Sequence, residues 1–236
     1  MKYSIRINEV KSEDSQIKAF ATVTFDESLL VRNIAIVERR DTGDLFVSMP
    51  SYRTNDVTEK GEPIYRDVCN PITKDFYEEF SRNILTAYDN RGNIGKNGME
   101  FSKDGSKPMK FAVKVSPMER ENSSLKGLGR IYLNDDFVIS NVKLVDGKNG
   151  MFISMPDYRT EKYKDGKPVY RELVFPVTKE FREKFYGEFD KAYAAEKNKD
   201  KSADEPEKEA DRVAEKKQAK KSKAKNEDEP ELAVAR

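Results

Sequence analysis

Arginine stands beside tyrosine at two pairs of matched positions. Arg53 and Arg159 each follow Met-Pro-x-Tyr, and Arg66 and Arg171 each follow a further tyrosine. Arginine binds phosphate through two hydrogen bonds at once and stacks on bases, and tyrosine adds stacking surface. The pattern fits a surface that contacts nucleic acid, and it fits a structural role equally well. A structural role remains open, in which each arginine holds its loop through carbonyl groups or through a carboxylate such as Asp67 or, in the second set, Glu172.

A lysine-rich block near the end of the chain is the second candidate for phosphate contacts. It consists of Lys216, Lys217, Lys220, Lys221, Lys223 and Lys225. Such a block adds a salt-dependent attraction for nucleic acid that is independent of base sequence. Neighbouring acids such as Glu207 and Glu215 would partly screen it, so a solvating tail that binds nothing in particular is an equal alternative.

The residue types argue against catalysis. The chain has no histidine, the commonest general base, and one cysteine, Cys69. These leave no nitrogen or sulfur cluster for zinc or iron, and Val174 at the position matching Cys69 indicates a small core residue. We therefore expect no enzyme, catalytic residue, cofactor or metal site, and an enzyme using a carboxylate-bound metal is the least favoured hypothesis. No stretch is apolar enough for a signal peptide or a membrane span, so we expect a cytoplasmic protein without a membrane partner.

The candidate residues belong to a repeat. Residues 1–88 align with residues 109–193, and Met49–Thr54 returns as Met155–Thr160. A unit this long is a small domain, so the chain is predicted to be a fused pseudo-dimer. We predict repeat 1 over 1–90, a flexible glycine-rich linker over 91–108, repeat 2 over 109–194 and a charged tail, disordered or helical, over 195–236.

Each repeat is predicted to be a small antiparallel sheet followed by a helix, an α+β fold. Tyr3, Ile5 and Ile7 alternate with polar residues as in a strand, and two later β-branched runs joined through residues 26–28 indicate a hairpin. The polar segment 51–66 is interpreted as a long loop. Thr73 and Thr178 are predicted helix N-caps.

The predicted helices share an apolar stripe but differ in charge. Repeat 2 carries Lys179, Arg182 and Lys184. In repeat 1, Tyr77 stands at the position that matches Arg182, and Glu79 at the position that matches Lys184. The second helix is therefore the better candidate to face phosphate, because acids on the first would repel it.

The motifs Phe46–Thr54 and Arg66–Ile72, and still more the segment Val142–Pro156, resemble the SpoVG family (stage V sporulation protein G, septation regulator). The resemblance covers both repeats. It implies a small sheet with a C-terminal helical part, usually in a homodimer, and a bacterial regulator that binds DNA, in some members RNA, and affects septation and sporulation. The family's basic binding residues map onto Arg182 and Lys184. The function expected is non-enzymatic nucleic-acid binding, mainly through phosphates. The alternative is a protein-interaction scaffold without nucleic-acid binding.

Overall fold

The computed structural model describes residues 1–12, 14–103, 105, 107–118 and 120–199, with the side chains of Asn55 and Glu161 excepted. Residues Met1–Tyr193 form one compact unit. Antiparallel sheets and two helices in this part of the chain confirm the predicted α+β class.

The elements follow the repeat. The strands of repeat 1 are β1 (Lys2–Glu9), β2 (Ile17–Phe25), β3 (Leu29–Glu38), β4 (Leu45–Ser48), β5 (Ser51–Val57), β6 (Pro63–Asp67) and β7 (Cys69–Pro71). Helix α1 (Lys74–Asp89), a 3-10 turn (Arg91–Asn93) and strand β8 (Met99–Ser102) come next. Repeat 2 follows with β9 (Phe111–Pro117), β10 (Leu125–Leu133), β11 (Phe137–Gly147), β12 (Gly150–Ser154), β13 (Asp157–Lys164), β14 (Lys167–Glu172) and β15 (Val174–Pro176). Helix α2 covers residues 179–199.

Each repeat completes the sheet of the other. The first sheet has the order β15-β3-β2-β1-β8, with β4 also on β3, so a strand of repeat 2 lies beside β3. The second sheet has the order β12-β11-β10-β9, and β7 of repeat 1 pairs with β11. Matching backbone hydrogen bonds flank both exchanged strands, from Ser140 N to Val68 O at 2.7 Å and from Arg32 N to Leu173 O at 2.9 Å. The pseudo-dimer is thus held by reciprocal strand exchange.

Aromatic rings cross the seam between the repeats. Phe137 of β11 lies 5.0 Å from Phe25 of β2 and 5.6 Å from Phe80 of α1, between ring centroids. All three are fully buried. Cys69 is also buried, as predicted for a core residue, and burial raises the pKa of its thiol well above the usual range. A core that spans the seam explains why the two repeats form one unit.

Local sequence fixes the turns and helix starts. Thr73 and Thr178 accept hydrogen bonds from the backbone N–H groups of Phe76 and Phe181 at 3.3 and 3.2 Å, which confirms both predicted N-caps. The predicted β2–β3 hairpin is also confirmed, with its turn at Asp26 and Glu27 in the left-handed region at φ of 41° and 54°.

The predicted loop over 51–66 is wrong. Strands β5 and β6 form a separate two-stranded hairpin, and β13 and β14 form its counterpart in repeat 2. We name these the first hairpin (residues 51–67) and the second hairpin (residues 157–172). Most of the described side chains of the two hairpins are exposed. Strands of this kind do not need alternating apolar residues, and that alternation is the pattern that identifies a half-buried strand in a sequence.

The connection between the repeats is more ordered than a flexible linker. Strand β8 pairs with β1, with Phe101 opposite Tyr3 and their rings stacked at 5.8 Å. Lys103 forms a largely buried ion pair with Asp136 in the β10–β11 turn, with side chains 18% and 14% exposed. Alternating apolar residues among the glycines therefore bring this segment into the first sheet.

Candidate nucleic-acid interface

The predicted arginines of the hairpins lie opposite tyrosines. In the first hairpin Tyr52 pairs with Arg66 and Arg53 pairs with Tyr65. Directly opposite residues of an antiparallel pair share a face. One face thus carries Tyr52, which packs on the core, and the other carries Arg53 with Tyr65, whose side chain is 60% exposed.

The second hairpin repeats this register. Tyr158 pairs with Arg171, and Arg159 pairs with Tyr170, which is 56% exposed. Tyr158 packs on the core like its counterpart. All four predicted arginines are exposed, and each hairpin presents an outer face with one arginine and one tyrosine side by side.

The structural role considered for these arginines has weak support. Arg66 approaches Asp56 at 3.7 Å, but both side chains are about two-thirds exposed, and such pairs contribute little stability. Arg159 donates to the hydroxyl of Tyr163, with its guanidinium 5.5 Å from that ring centroid. Neither Asp67 nor Glu172 forms an ion pair with any described residue. The arginines are therefore placed to meet solvent or a ligand more than to hold the loop.

The hairpins differ in charge. Residues 157–172 contain five basic and four acidic residues, whereas residues 51–67 contain three basic and four acidic residues. Lys162 and Lys167 stand where the first hairpin has Asp56 and Glu62. Both lysines are exposed. The second hairpin therefore presents the more favourable surface for an anion.

The three predicted basic residues of α2 do not form one cluster. Phe181, Phe185 and Phe189 mark the side of α2 that faces the sheet, and positions 182 and 184 fall on opposite flanks of that stripe. Arg182 reaches the carbonyl of Pro176 at 3.4 Å, whereas the Lys184 ammonium lies 5.5 Å from the centroid of Phe111 on β9.

Lys179 points away from the sheet and approaches Glu183 at 3.6 Å. The Pro176 carbonyl that Arg182 reaches lies four residues after Glu172, where the second hairpin ends. Burial raises the pKa of the Tyr186 phenol, Arg182 lowers it, and Glu172 raises it further. Arg182 thus lies beside β15, the strand that follows the second hairpin, and Lys184 lies on the other flank of α2.

The lysine block from Lys216 to Lys225 lies outside the described residues. Among the described residues, no cluster of three carboxylate or cysteine side chains is arranged to hold a metal ion. Neither described helix has both the length and the apolar character that crossing a bilayer requires.

Comparison with known proteins decides the family. The SpoVG family profile matches residues 1–90 and again residues 109–195. The chain belongs to the SpoVG family. It is 34% identical over 76 residues to a protein of Macrococcus caseolyticus described as "Putative septation protein SpoVG", a match that covers 32% of this chain and 59% of that protein. Proteins with the same description from Staphylococcus aureus and Staphylococcus haemolyticus are 32% identical over 85 residues, covering 36% of this chain and 76% of each relative.

These alignments have the length of one SpoVG repeat. A single repeat of this chain therefore corresponds to most of a staphylococcal SpoVG protein, and this chain holds two. The aligned region of each relative corresponds to one repeat. In this chain two such repeats are joined in one polypeptide, and each pairs a strand with the sheet of the other.

Sequence reasoning missed the hairpin lysines Lys162, Lys164 and Lys167. In the segments interpreted as loops, the candidate residues were the arginines that both repeats share, and these lysines are not matched by lysines in repeat 1. A position-by-position comparison of charge would have found Lys162 opposite Asp56 and Lys167 opposite Glu62 in the alignment.

Proposed function

We propose that this protein is a non-enzymatic, cytoplasmic nucleic-acid-binding member of the SpoVG family. We further propose that it acts in septation, as the description of its relatives indicates, and that it binds DNA or RNA mainly through phosphates. The observation that carries the proposal is the difference in charge between matched positions of the two repeats. Lys162, Lys167, Arg182 and Lys184 of repeat 2 stand where repeat 1 has Asp56, Glu62, Tyr77 and Glu79.

Phosphate contacts suit this surface. The arginines and lysines of the second hairpin are exposed, and Arg182 contacts Pro176 of β15, the strand that follows this hairpin. Cations on an exposed ribbon neutralise phosphates and release counterions, which gives affinity without a base-specific code. Lys184, on the far flank of α2, contributes to the local potential more than to the same contact.

A second candidate function is protein binding through the hairpins. Both hairpins expose large apolar or aromatic side chains, including Val57 and Tyr65 in the first and Tyr163 and Tyr170 in the second, each at least 56% exposed. This feature is common to both repeats and does not depend on charge. It therefore favours a partner that engages the two hairpins alike.

Binding to a labelled DNA duplex, measured by fluorescence anisotropy over a range of salt concentrations, tests the proposal. We expect the logarithm of the association constant to fall steeply and linearly with the logarithm of salt concentration. Arg182→Tyr with Lys184→Glu installs the residues of repeat 1 on α2. This variant should bind about tenfold more weakly, with a salt slope smaller in magnitude by about 1 to 2.

The tail is tested separately with a chain that ends at Lys199. This chain keeps the described part of α2 and removes the block Lys216–Lys225. We expect it to bind the duplex more weakly than the full chain but with measurable affinity. Absence of duplex binding by the full chain at low salt would contradict the proposed function and leave the protein-binding candidate.

A further inference from the structure

The outer face of the second sheet is the side turned away from α2. Glycines mark the inner side: a Cβ on Gly129 would lie 2.3 Å from the Phe189 ring of α2, and one on Gly127 would lie 3.5 Å from Tyr193. The residues that alternate with these inward positions on β10 therefore point outward, among them Arg130, which is exposed.

Four cations occupy this outer face: Lys114 on β9, Lys126 and Arg130 on β10, and Lys143 on β11. Strands β9, β10 and β12 contain no carboxylate, and the one carboxylate of β11, Asp146, follows the inward-facing Leu144 by two positions. None of the four cations forms an ion pair with a described residue, and none is buried. The charged side chains on this face are therefore all positive.

This arrangement costs stability. Arg130 lies directly opposite Lys114 in the β9–β10 register. Like charges in that position destabilise an antiparallel pair. The corresponding pair in repeat 1 is Arg6 opposite Thr22, which carries no such cost. A bound anion would offset the repulsion in repeat 2.

Aromatic rings lie among these cations. Tyr132 is outward on β10, with the Lys114 ammonium 5.3 Å from its ring centroid. Phe152 on β12 is outward beside Val145 and 52% exposed, and it lies against Gly147, where a Cβ would approach its ring at 2.8 Å. Glycine at position 147 thus lets the Phe152 ring lie close on the sheet while part of it stays open to solvent.

The matched face of repeat 1 lacks this combination. Thr22, Thr24 and Ala35 stand where repeat 2 has Arg130, Tyr132 and Lys143. Lys18 is paired with Glu38 at 2.6 Å. The ring of Phe46, the counterpart of Phe152, has the Arg39 guanidinium 4.9 Å from its centroid.

We infer that the outer face of the second sheet is a binding platform for single-stranded nucleic acid, with Lys114, Lys126, Arg130 and Lys143 on the phosphates and Tyr132 and Phe152 stacking on bases. A half-buried tyrosine and an exposed phenylalanine among cations on a sheet face suit a strand whose bases are unpaired, because every base offers a stacking face. A duplex hides its bases and would gain from charge alone. The inference rests on the proposed function in taking the partner to be nucleic acid, but the surface is distinct from the second hairpin and α2.

The test uses the full chain and two probes, an oligothymidylate and a DNA duplex. Arg130→Thr, Tyr132→Thr and Lys143→Ala together give β10 and β11 the residues that repeat 1 already carries there. We expect this variant to bind the oligothymidylate at least about tenfold more weakly, since stacking alone is worth about 1–3 kcal/mol per base. Its duplex affinity should change less than about threefold at physiological salt, where charges beyond about 8 Å are screened.

A spectroscopic signature separates stacking from charge. The chain contains no tryptophan, so Tyr132→Trp introduces a single reporter. Its fluorescence should be quenched by the oligothymidylate and not by an inorganic polyphosphate at matched charge concentration. Circular dichroism of each variant verifies that the sheets are intact.

The outcomes are separable. Unchanged oligothymidylate affinity in the triple variant, or equal response of the tryptophan to polyphosphate, would overturn the stacking platform while leaving duplex binding in place. Failure of the unaltered chain to bind either probe would overturn the proposed function and the platform together. Loss of both affinities to the same degree in the triple variant would show that charge alone acts there and would also overturn the platform.

Discussion

Repeat 1 and repeat 2 solve the same packing problem with different residues. In repeat 1 the buried strand position Ala21 is matched with Ile84 on α1, and in repeat 2 the corresponding residues are Gly129 and Phe189. A smaller strand residue thus accompanies a larger helix residue. The charges show no such compensation: at the positions of Asp56, Glu62 and Glu79, acids of repeat 1 are replaced by lysines in repeat 2. At this pair of positions the combined side-chain volume is similar in the two repeats, whereas the matched surface positions differ in charge.

The largest effect should come from the seam between the repeats, where the buried Leu29 of repeat 1 is matched by the larger Phe137 of repeat 2. Phe137→Ala removes the ring that touches Phe25 and Phe80 across the repeats, and should lower the free energy of unfolding by about 3–5 kcal/mol. Leu29→Ala, at the matched position, should cost about 1 kcal/mol less, because it removes a smaller side chain. Urea unfolding of both variants measures the difference, and equal costs would show that the aromatic cluster adds nothing specific to the seam.

A smaller effect tests the compensated pair. Gly129→Ala should destabilise the protein by about 1–3 kcal/mol, because its Cβ would meet the Phe189 ring at 2.3 Å. Combining it with Phe189→Ile recreates the pair of repeat 1 and should recover part of that loss. A double-mutant cycle measures the coupling. Strictly additive costs would contradict the account of matched volumes.

The smallest effect should be the same in both repeats. Thr73→Ala and Thr178→Ala each remove the side-chain acceptor at a helix N-terminus and should cost about 1 kcal/mol. We expect the two values to agree within about 0.5 kcal/mol, because cap geometry is copied between the repeats. Denaturant unfolding measures both losses of stability. Values that differ by clearly more than this would contradict the expectation that the two caps are equivalent.

Periodicity and turn residues made much of the fold predictable. The alternation of Tyr3, Ile5 and Ile7, the turn at residues 26–28 and the threonine caps follow from local rules, and the duplication predicted the pairing of repeats. The exchange of β7 and β15 was not predictable in the same way. Each is a three-residue strand, too short for a pattern, and its partner lies in the other repeat.

The candidate site was less accessible from the sequence. The exposed arginines were found because both repeats keep them, but their pairing with tyrosines depends on the register of hairpins that resemble loops in sequence. The separation of Arg182 from Lys184 follows from helical geometry, since residues two apart lie about 200° apart around the axis. The outer face of the second sheet needed the strand register, because its cations lie on three strands.

The central claim is that nucleic-acid binding resides mainly in repeat 2, and an exchange of charges between the hairpins tests it most directly. One variant carries Asp56→Lys and Glu62→Lys, and the other carries Lys162→Asp and Lys167→Glu. Duplex DNA affinity should rise in the first and fall about tenfold in the second, with the salt slope smaller in magnitude by about 2 in the second. Unchanged affinity in the second variant, or equal losses from charge reversal in either hairpin, would contradict the account.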